Sequence, residues 1–256
     1  MSLQRLTGKA AVVTGGANGL GRAICQKFAE EGASVAIVDI DVQGMEEVLS
    51  LLTRNNNNVH CTIKADVTVA KDVAKCFKIA EEKLGKKVTI LVNSAGMFCG
   101  LKPIGDVTEK LFDDVVQLNL KGTFLPCKEF INSLENSEVS GSKGSIVNIS
   151  TIDGIKGNAK IAPYSSSKFG VVGLTKTLAM EYEKHKVRCN VVLPGSIDTP
   201  MLDTVGDGIK SILLKIIPMS RFGKPDEVAN ACLFLASEES SYMNGANLEV
   251  TGGLWC

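Results

Sequence analysis

The sequence predicts a single α/β domain, a doubly wound parallel sheet in a three-layer α/β/α sandwich. Short apolar runs of strand length alternate with segments of helical periodicity from end to end. A glycine cluster joins the first run to the first helical segment. No Pro-, Ser- or Gly-rich linker interrupts the 256 residues, so 1–256 reads as one domain, large enough for a sizeable core.

Residues 9–14 (KAAVVT) are expected to form a fully buried strand. Gly15, Gly16, Ala17, Asn18, Gly19, Leu20 and Gly21 follow. Residues 22–31 show helical spacing at Ile24, Phe28 and Ala29, and Gly32 can cap their end. Residues 34–38 (SVAIV) read as a second strand ending at Asp39, 18 positions after Gly21. Strand, glycine loop, helix, strand and acidic residue in that order predict a dinucleotide site. Glycines let the backbone approach a pyrophosphate closely, and the helix N-terminus offers it unpaired amides and a positive dipole end. Asp39 would accept hydrogen bonds from the adenosine ribose and repel a 2′-phosphate, which favours NAD over NADP. The plainer role for Asp39 is a solvated strand end.

A second helix is expected over 41–54, then a polar loop, Asn55 to Asn58, with no function attached. A third strand over 59–65 leads into Asp66 and Val67, read either as adenine contacts or as the cap of the helix over 69–84. The fourth strand, 88–92, delivers Asn93, Ser94, Ala95 and Gly96 to its carboxyl end, where doubly wound sheets bind ligands. A long helix over 108–130 carries Asn119 inside an apolar region. That amide must find partners, either as a satisfied core group that bends the helix or as part of a proton path.

A fifth strand over 144–150 ends in two hydroxyls, Ser150 and Thr151. The long helix after it, 164–184, carries Tyr164 and Lys168 one turn apart on one face, and its Gly170 and Gly173 permit close packing. An ammonium beside a phenol favours the phenolate, so Tyr164 is expected to have a lowered pKa and to exchange protons near neutral pH. The sixth strand, 187–193, runs into Pro194, Gly195, Ser196, Ile197, Asp198, Thr199 and Pro200. The segment at about 196–222 is expected to be a partly helical lid over a substrate. A helix over 226–237 and a strand over 248–250 complete the order.

Composition narrows the function. Twenty-eight basic residues balance 28 acidic ones, without the basic stripe that nucleic acid binding needs. No apolar run reaches the 18 residues of a membrane span, and the N-terminus has no secretory hydrophobic region. The eight cysteines form no C-x-x-C pair and read as reduced core thiols, as in an intracellular protein. With only His60 and His185 besides, far apart in sequence, no metal site is expected.

Thr14-Gly15-x-x-x-Gly19-x-Gly21, Asp66-Val67, Asn93-Ser94-Ala95-Gly96, Asn119, Tyr164-x-x-x-Lys168 and Pro194-Gly195 together resemble the short-chain dehydrogenase/reductase family, whose fold is of the Rossmann type. The resemblance covers essentially the whole chain. LNLKGTFL, GSIVNIS, KVRCNVVLPGSIDTPM, IIPMSRFGKPDEVA, FLASEES and LEVTGGLWC resemble one branch of it, the 17-beta-hydroxysteroid dehydrogenases of type 8 and the bacterial-type 3-oxoacyl-acyl-carrier-protein reductases.

That resemblance implies NAD-linked oxidation of (3R)-hydroxyacyl thioesters with some activity on estradiol and other steroids. It also implies a homotetramer, or a tetramer mixed with a carbonyl-reductase subunit, in the mitochondrial matrix, with the cytoplasm as the alternative. It implies Tyr164 as general acid/base, Lys168 on the nicotinamide ribose, and Asn119 holding a water that links Lys168 to solvent. Gly15, Asn18, Gly19, Leu20, Gly21, Asp39, Asp66, Val67, Asn93, Ala95, Gly96, Tyr164, Lys168, Pro194, Gly195, Ile197 and Thr199 are the implied cofactor residues. Ser94 replaces the family's second Asn, which changes local hydrogen bonding more than cofactor choice. The family's catalytic Ser, 13 residues before the Tyr, falls on Thr151; Ser150 serves only if the strand end shifts by one residue. Two other functions stay open: a steroid or small-alcohol dehydrogenase without acyl activity, and an NAD-binding structural subunit that supports an active partner.

Overall fold

The computed structural model describes residues 4–55, 57–135 and 143–255. Its strands are β1 (Ala10–Thr14), β2 (Ser34–Asp39), β3 (His60–Lys64), β4 (Ile90–Asn93), β5 (Gly144–Ile149), β6 (Val187–Pro194) and β7 (Asn247–Val250). They form one sheet in the order β3-β2-β1-β4-β5-β6-β7, and every pairing is parallel. The strand order reverses between β1 and β4, and at such a reversal a crevice opens beyond the carboxyl ends of the strands.

The helices are α1 (Gly19–Glu30), α2 (Val42–Leu51), α3 (Ala70–Leu84), α4 (Glu109–Val116) and α5 (Gly122–Glu135), then α6 (Asp153–Lys156), α7 (Ala162–Glu181), α8 (Pro200–Asp203), α9 (Asp207–Ile216) and α10 (Pro225–Ala236). Alternate strand residues feed two cores because successive side chains point to opposite faces. Ala11, Val13, Val35 and Ile37 pack with Ile24 and Phe28 of α1, Met45 of α2 and Cys232 of α10. Ala10, Val12, Ala36 and Val38 pack with Phe77 of α3, Phe130 of α5 and Leu178 of α7. The expected three layers are therefore present.

Local signals set several boundaries. The Asp41 carboxylate caps α2 by accepting from the Gly44 amide at 3.1 Å. α7 stops at Glu181, before the expected 184, and a 3-10 turn (Glu183–His185) and a left-handed Lys186 lead into β6. A Cβ on Gly170 would meet the Leu120 side chain at 2.8 Å, the close packing expected there; beside Gly173 the space is open, so that residue serves no such packing. Asn58, in a loop without assigned function, is buried and donates to the carbonyls of Ala29, Ala33 and Thr53. The described cysteines are free and buried; Cys256 lies outside the described residues. Burial pushes the Cys61 thiol up to about 11 and the Cys76 thiol up to about 12, so both stay protonated at neutral pH.

The glycine turn allows a direct stability test. A Cβ on Gly21 would lie 2.0 Å from the Gly15 carbonyl oxygen, a backbone atom with nowhere to move. Gly21→Ala is expected to cost about 3 kcal/mol or more, read as a lowered urea midpoint at unchanged m-value.

Candidate active site

One cavity of about 740 Å³ opens where the strand order reverses, beyond the carboxyl ends of β1, β4, β5 and β6. Gly15, Asn18, Gly19 and Leu20 form part of its floor. Gly15 sits at φ +65, and a Cβ there would strike the Ala95 backbone at 2.7 Å, so only glycine lets β1 and β4 deliver their loops side by side. Gly19 sits at φ +51 with nothing nearer to a Cβ than Thr199 at 3.8 Å. The backbone there lies open to the cavity, and Asn18 caps α1 by accepting from the Gly19 amide at 2.7 Å.

Asp39 lines the far end. Its carboxylate accepts from the amides of Ala17 (3.1 Å), Ile40 (2.7 Å) and Asp41 (3.1 Å), which fixes it at the rim of β2. Asp66 and Val67 line the same wall. Asp66 is not the cap of α3: it accepts from the amide and the hydroxyl of Thr68 at 2.8 and 2.7 Å, and Val69 precedes the helix without a side-chain cap. Ala95, Gly96, Pro194, Gly195, Ile197 and Thr199 complete this half.

The other half holds the reactive side chains. Tyr164 is buried, with Phe98 edge-on at a ring separation of 5.2 Å. The Lys168 ammonium stands 5.9 Å from the Tyr164 ring centre and donates to the Ile149 carbonyl at 2.9 Å. Both strand-end hydroxyls line the cavity but engage differently. Ser150 donates to the Lys168 carbonyl at 3.0 Å, tying β5 to α7. Thr151 donates to the Pro194 carbonyl at 3.3 Å, and its hydroxyl also acts on the Tyr164 phenol, in the direction of a lower pKa. Met201, Leu202, Val205, Ile209 and Leu213, from α8, α9 and the turn between them, form an apolar wall, and the 196–222 segment is partly helical.

A family model described as enoyl-(acyl carrier protein) reductase matches residues 15–255. The chain belongs to the short-chain dehydrogenase/reductase family. It is similar to the (3R)-3-hydroxyacyl-CoA dehydrogenase of Canis lupus familiaris, 38% identical over 98% of each chain. The 3-oxoacyl-acyl-carrier-protein reductase of Thermotoga maritima is 36% identical over 98% of this chain and 99% of its own. The structure superposes on that of a 3-ketoacyl-(acyl-carrier-protein) reductase from Brucella melitensis complexed with NADH. The TM-score is 0.90 at 33% identity, over 98% of this chain and 100% of that one. Membership makes the protein an oxidoreductase of CH–OH groups.

Within this short-chain dehydrogenase/reductase site, four expectations need correction. The first concerns Tyr164, whose pKa is raised rather than lowered. Burial is the largest cause and the charge of Asp153 adds to it, while the Thr151 hydroxyl pulls the other way. Burial also lowers Lys168 to about 8, because a desolvated ammonium is disfavoured. The i,i+4 spacing set the distance between the two groups and not their solvation.

The second and third concern cavity residues. Gly21 does not line the cavity; it packs on the Gly15 backbone behind the loop. Asn93 is likewise absent from the lining, since its amide donates inward to Asn148 Oδ1 at 2.9 Å and to Cys127 Sγ at 3.2 Å.

The fourth is Asn119. The expected helix over 108–130 breaks at a π-helical turn, Gln117–Lys121, with α4 and α5 on either side, and Asn119 sits fully buried inside it. Its amide clamps the chain leaving β4, accepting from the Met97 amide at 2.8 Å and donating to the Met97 carbonyl at 3.0 Å. The second amide proton goes to Ser167 Oγ at 3.1 Å, so both amide protons have partners. Asn119 therefore shapes the cavity from behind.

Sequence reasoning passed over Phe98, Asp153 and Asn158, all on the cavity wall. Phe98 and Asn158 lie between the expected strands and helices, where no periodicity assigns a side chain to a face. Asp153 carried the one usable signal, a charged residue two positions after Thr151.

Proposed function

We propose that the protein is an NAD(H)-dependent dehydrogenase/reductase that interconverts a (3R)-3-hydroxyacyl thioester and its 3-oxoacyl counterpart. The observation that carries this reading is a single cavity with Asp39 at one end and Thr151, Tyr164 and Lys168, faced by an apolar wall, at the other. The residues fit a dinucleotide. Gly19 leaves the backbone open at the N-terminus of α1, where amides and dipole favour a pyrophosphate. The fixed Asp39 carboxylate accepts ribose hydroxyls and disfavours a 2′-phosphate. The NADH in the Brucella melitensis reductase structure supports the same choice. When bound, NAD(H) supplies or takes the hydride.

The chain's own residues hold the substrate and move the proton. Thr151 donates to the substrate oxygen and orients it. Tyr164 passes a proton between its phenol and that oxygen. Lys168, anchored on the Ile149 carbonyl, keeps N–H bonds free for the nicotinamide ribose. The wall of Met201, Leu202, Val205, Ile209 and Leu213 suits an acyl chain and equally a steroid, so estradiol is the second substrate to assay. The names of the mammalian and Thermotoga maritima relatives favour the thioester. A homotetramer, or one mixed with a carbonyl-reductase subunit, and the mitochondrial matrix belong to the same proposal.

The test is turnover of (3R)-3-hydroxybutanoyl-CoA by the purified homo-oligomer with NAD+ and with NADP+. NAD+ is expected to win in kcat/KM, and Asp39→Ala is expected to shrink that preference by about tenfold or more. No turnover alone but turnover after adding a carbonyl-reductase subunit would instead identify a supporting subunit.

A further inference from the structure

Asp153 is a carboxylate set into the reactive half of the cavity. It begins α6, two residues beyond Thr151, and its amide donates to the Thr151 hydroxyl at 3.4 Å. It lines the cavity with Asn158, Ile161 and Tyr164, and apolar residues of α8 and α9 line the same cavity. Among the described residues, no Lys, Arg or His forms an ion pair with it. Burial raises its proton affinity, and the Asn158 and Thr151 side chains only partly offset this.

A half-buried carboxylate without a cation, in a cavity it shares with apolar side chains, costs free energy to the extent that donors are missing. Bound substrate excludes the water that would otherwise donate to it. A hydrocarbon chain laid against Asp153 leaves the carboxylate with only its Asn158 and Thr151 partners in place of water, whereas an O–H or N–H adds a further hydrogen bond. The asymmetry is large because an orphaned charged acceptor costs more than a made hydrogen bond gains.

We propose, on the secondary-alcohol reading given above, that Asp153 is a specificity-determining residue that selects substrates carrying a second hydrogen-bond donor, an O–H or N–H, a few bonds from the reacting carbinol. Two sources offer that chemistry. One is a second hydroxyl on the carbon skeleton, and the other is the amide N–H in the arm of a pantetheine-type thioester. A lone secondary alcohol on an otherwise hydrocarbon frame has neither.

Two substrate pairs separate the sources. Butane-2,3-diol against butan-2-ol tests the hydroxyl. The N-acetylcysteamine thioester of (3R)-3-hydroxybutanoate against its S-ethyl thioester tests the amide. With NAD+, the wild type is expected to favour the donor-bearing member of at least one pair by about tenfold or more in kcat/KM. Asp153→Val is expected to collapse that ratio by lowering kcat/KM for the donor-bearing member and raising it for its partner. Asp153→Asn keeps an acceptor oxygen without the charge and is expected to lose about threefold of the preference. Melting curves and NADH binding check that the variants fold. If Asp153→Val does not fold, Asp153→Asn decides alone. Variants that retain the wild-type ratios in both pairs overturn the role of Asp153 and leave the secondary-alcohol reading standing. A wild type inert toward all four alcohols overturns that reading, and the role of Asp153 with it.

Discussion

Tyr164→Phe is expected to lower kcat by about 10³-fold while NADH binding stays near the wild-type level. The phenol is the group in the reactive half of the cavity placed to give or take the proton, and phenylalanine keeps everything else about the ring. The edge-on contact with Phe98 at 5.2 Å survives, as does the helical backbone that carries Lys168. The cofactor end, around Gly19 and Asp39, is untouched. A fluorescence titration with NADH and a steady-state assay separate the two effects. A variant that keeps a tenth of the wild-type kcat would exclude Tyr164 as the proton carrier.

The electrostatics set the sign of the pH dependence. Burial and the Asp153 charge hold the phenol in its neutral form, which is the form that donates to a carbonyl oxygen during reduction. Oxidation needs the phenolate. Its rate is therefore expected to climb with pH across the neutral and alkaline range, and reduction is expected not to climb. Lys168, at about 8, carries its charge most fully below that pH, so it aids the phenolate least where the phenolate is most abundant. The positive nicotinamide of NAD+ is the further charge that favours phenolate in the oxidising direction.

What the sequence made legible divides along physical lines. The central strands were readable because β1, β2, β5 and β6 are buried almost throughout, so β1 and β2 carry unbroken apolar runs (Ala10 to Val13, Val35 to Val38) and β5 and β6 runs interrupted only by single polar residues such as Asn148 and Asn190. The glycine loop was readable because Gly15 and Gly19 stand at positive φ, where other residues are strained. Tyr164 and Lys168 were readable as a pair because helix geometry fixes i,i+4 neighbours. Three things were not. The π-helical turn at Asn119 inserts itself without disturbing the apolar pattern on either side. Solvation of the Tyr164–Lys168 pair depends on Phe98, Asp153 and other residues distant in sequence. Which small residues face the cavity, Gly15 but not Gly21, Ala95 but not Asn93, depends on how the β1 and β4 loops stack on each other.

The choice between the two hydroxyls rests on that same local geometry. Thr151→Ala is expected to lower kcat/KM by about 10²-fold, and Ser150→Ala by less than about threefold while costing about 1 kcal/mol of stability. Successive residues at a strand end point to opposite sides. Ser150 therefore turns toward α7, where its hydroxyl donates to the Lys168 carbonyl at 3.0 Å. Removing it loosens the seat of Lys168 and leaves a buried carbonyl with one fewer donor. Thr151 turns toward Tyr164, and its bond to the Pro194 carbonyl is long, at 3.3 Å, so the hydroxyl can swing to a substrate oxygen at little cost. Thr151→Ser removes only the methyl group that narrows the pocket and limits χ1. It is expected to keep kcat within about threefold of wild type and to widen the range of substrates accepted. Kinetics and urea melts on the three variants decide between the hydroxyls. A Ser150→Ala variant slower than Thr151→Ala would reverse the assignment and place the substrate oxygen on the α7 side of β5.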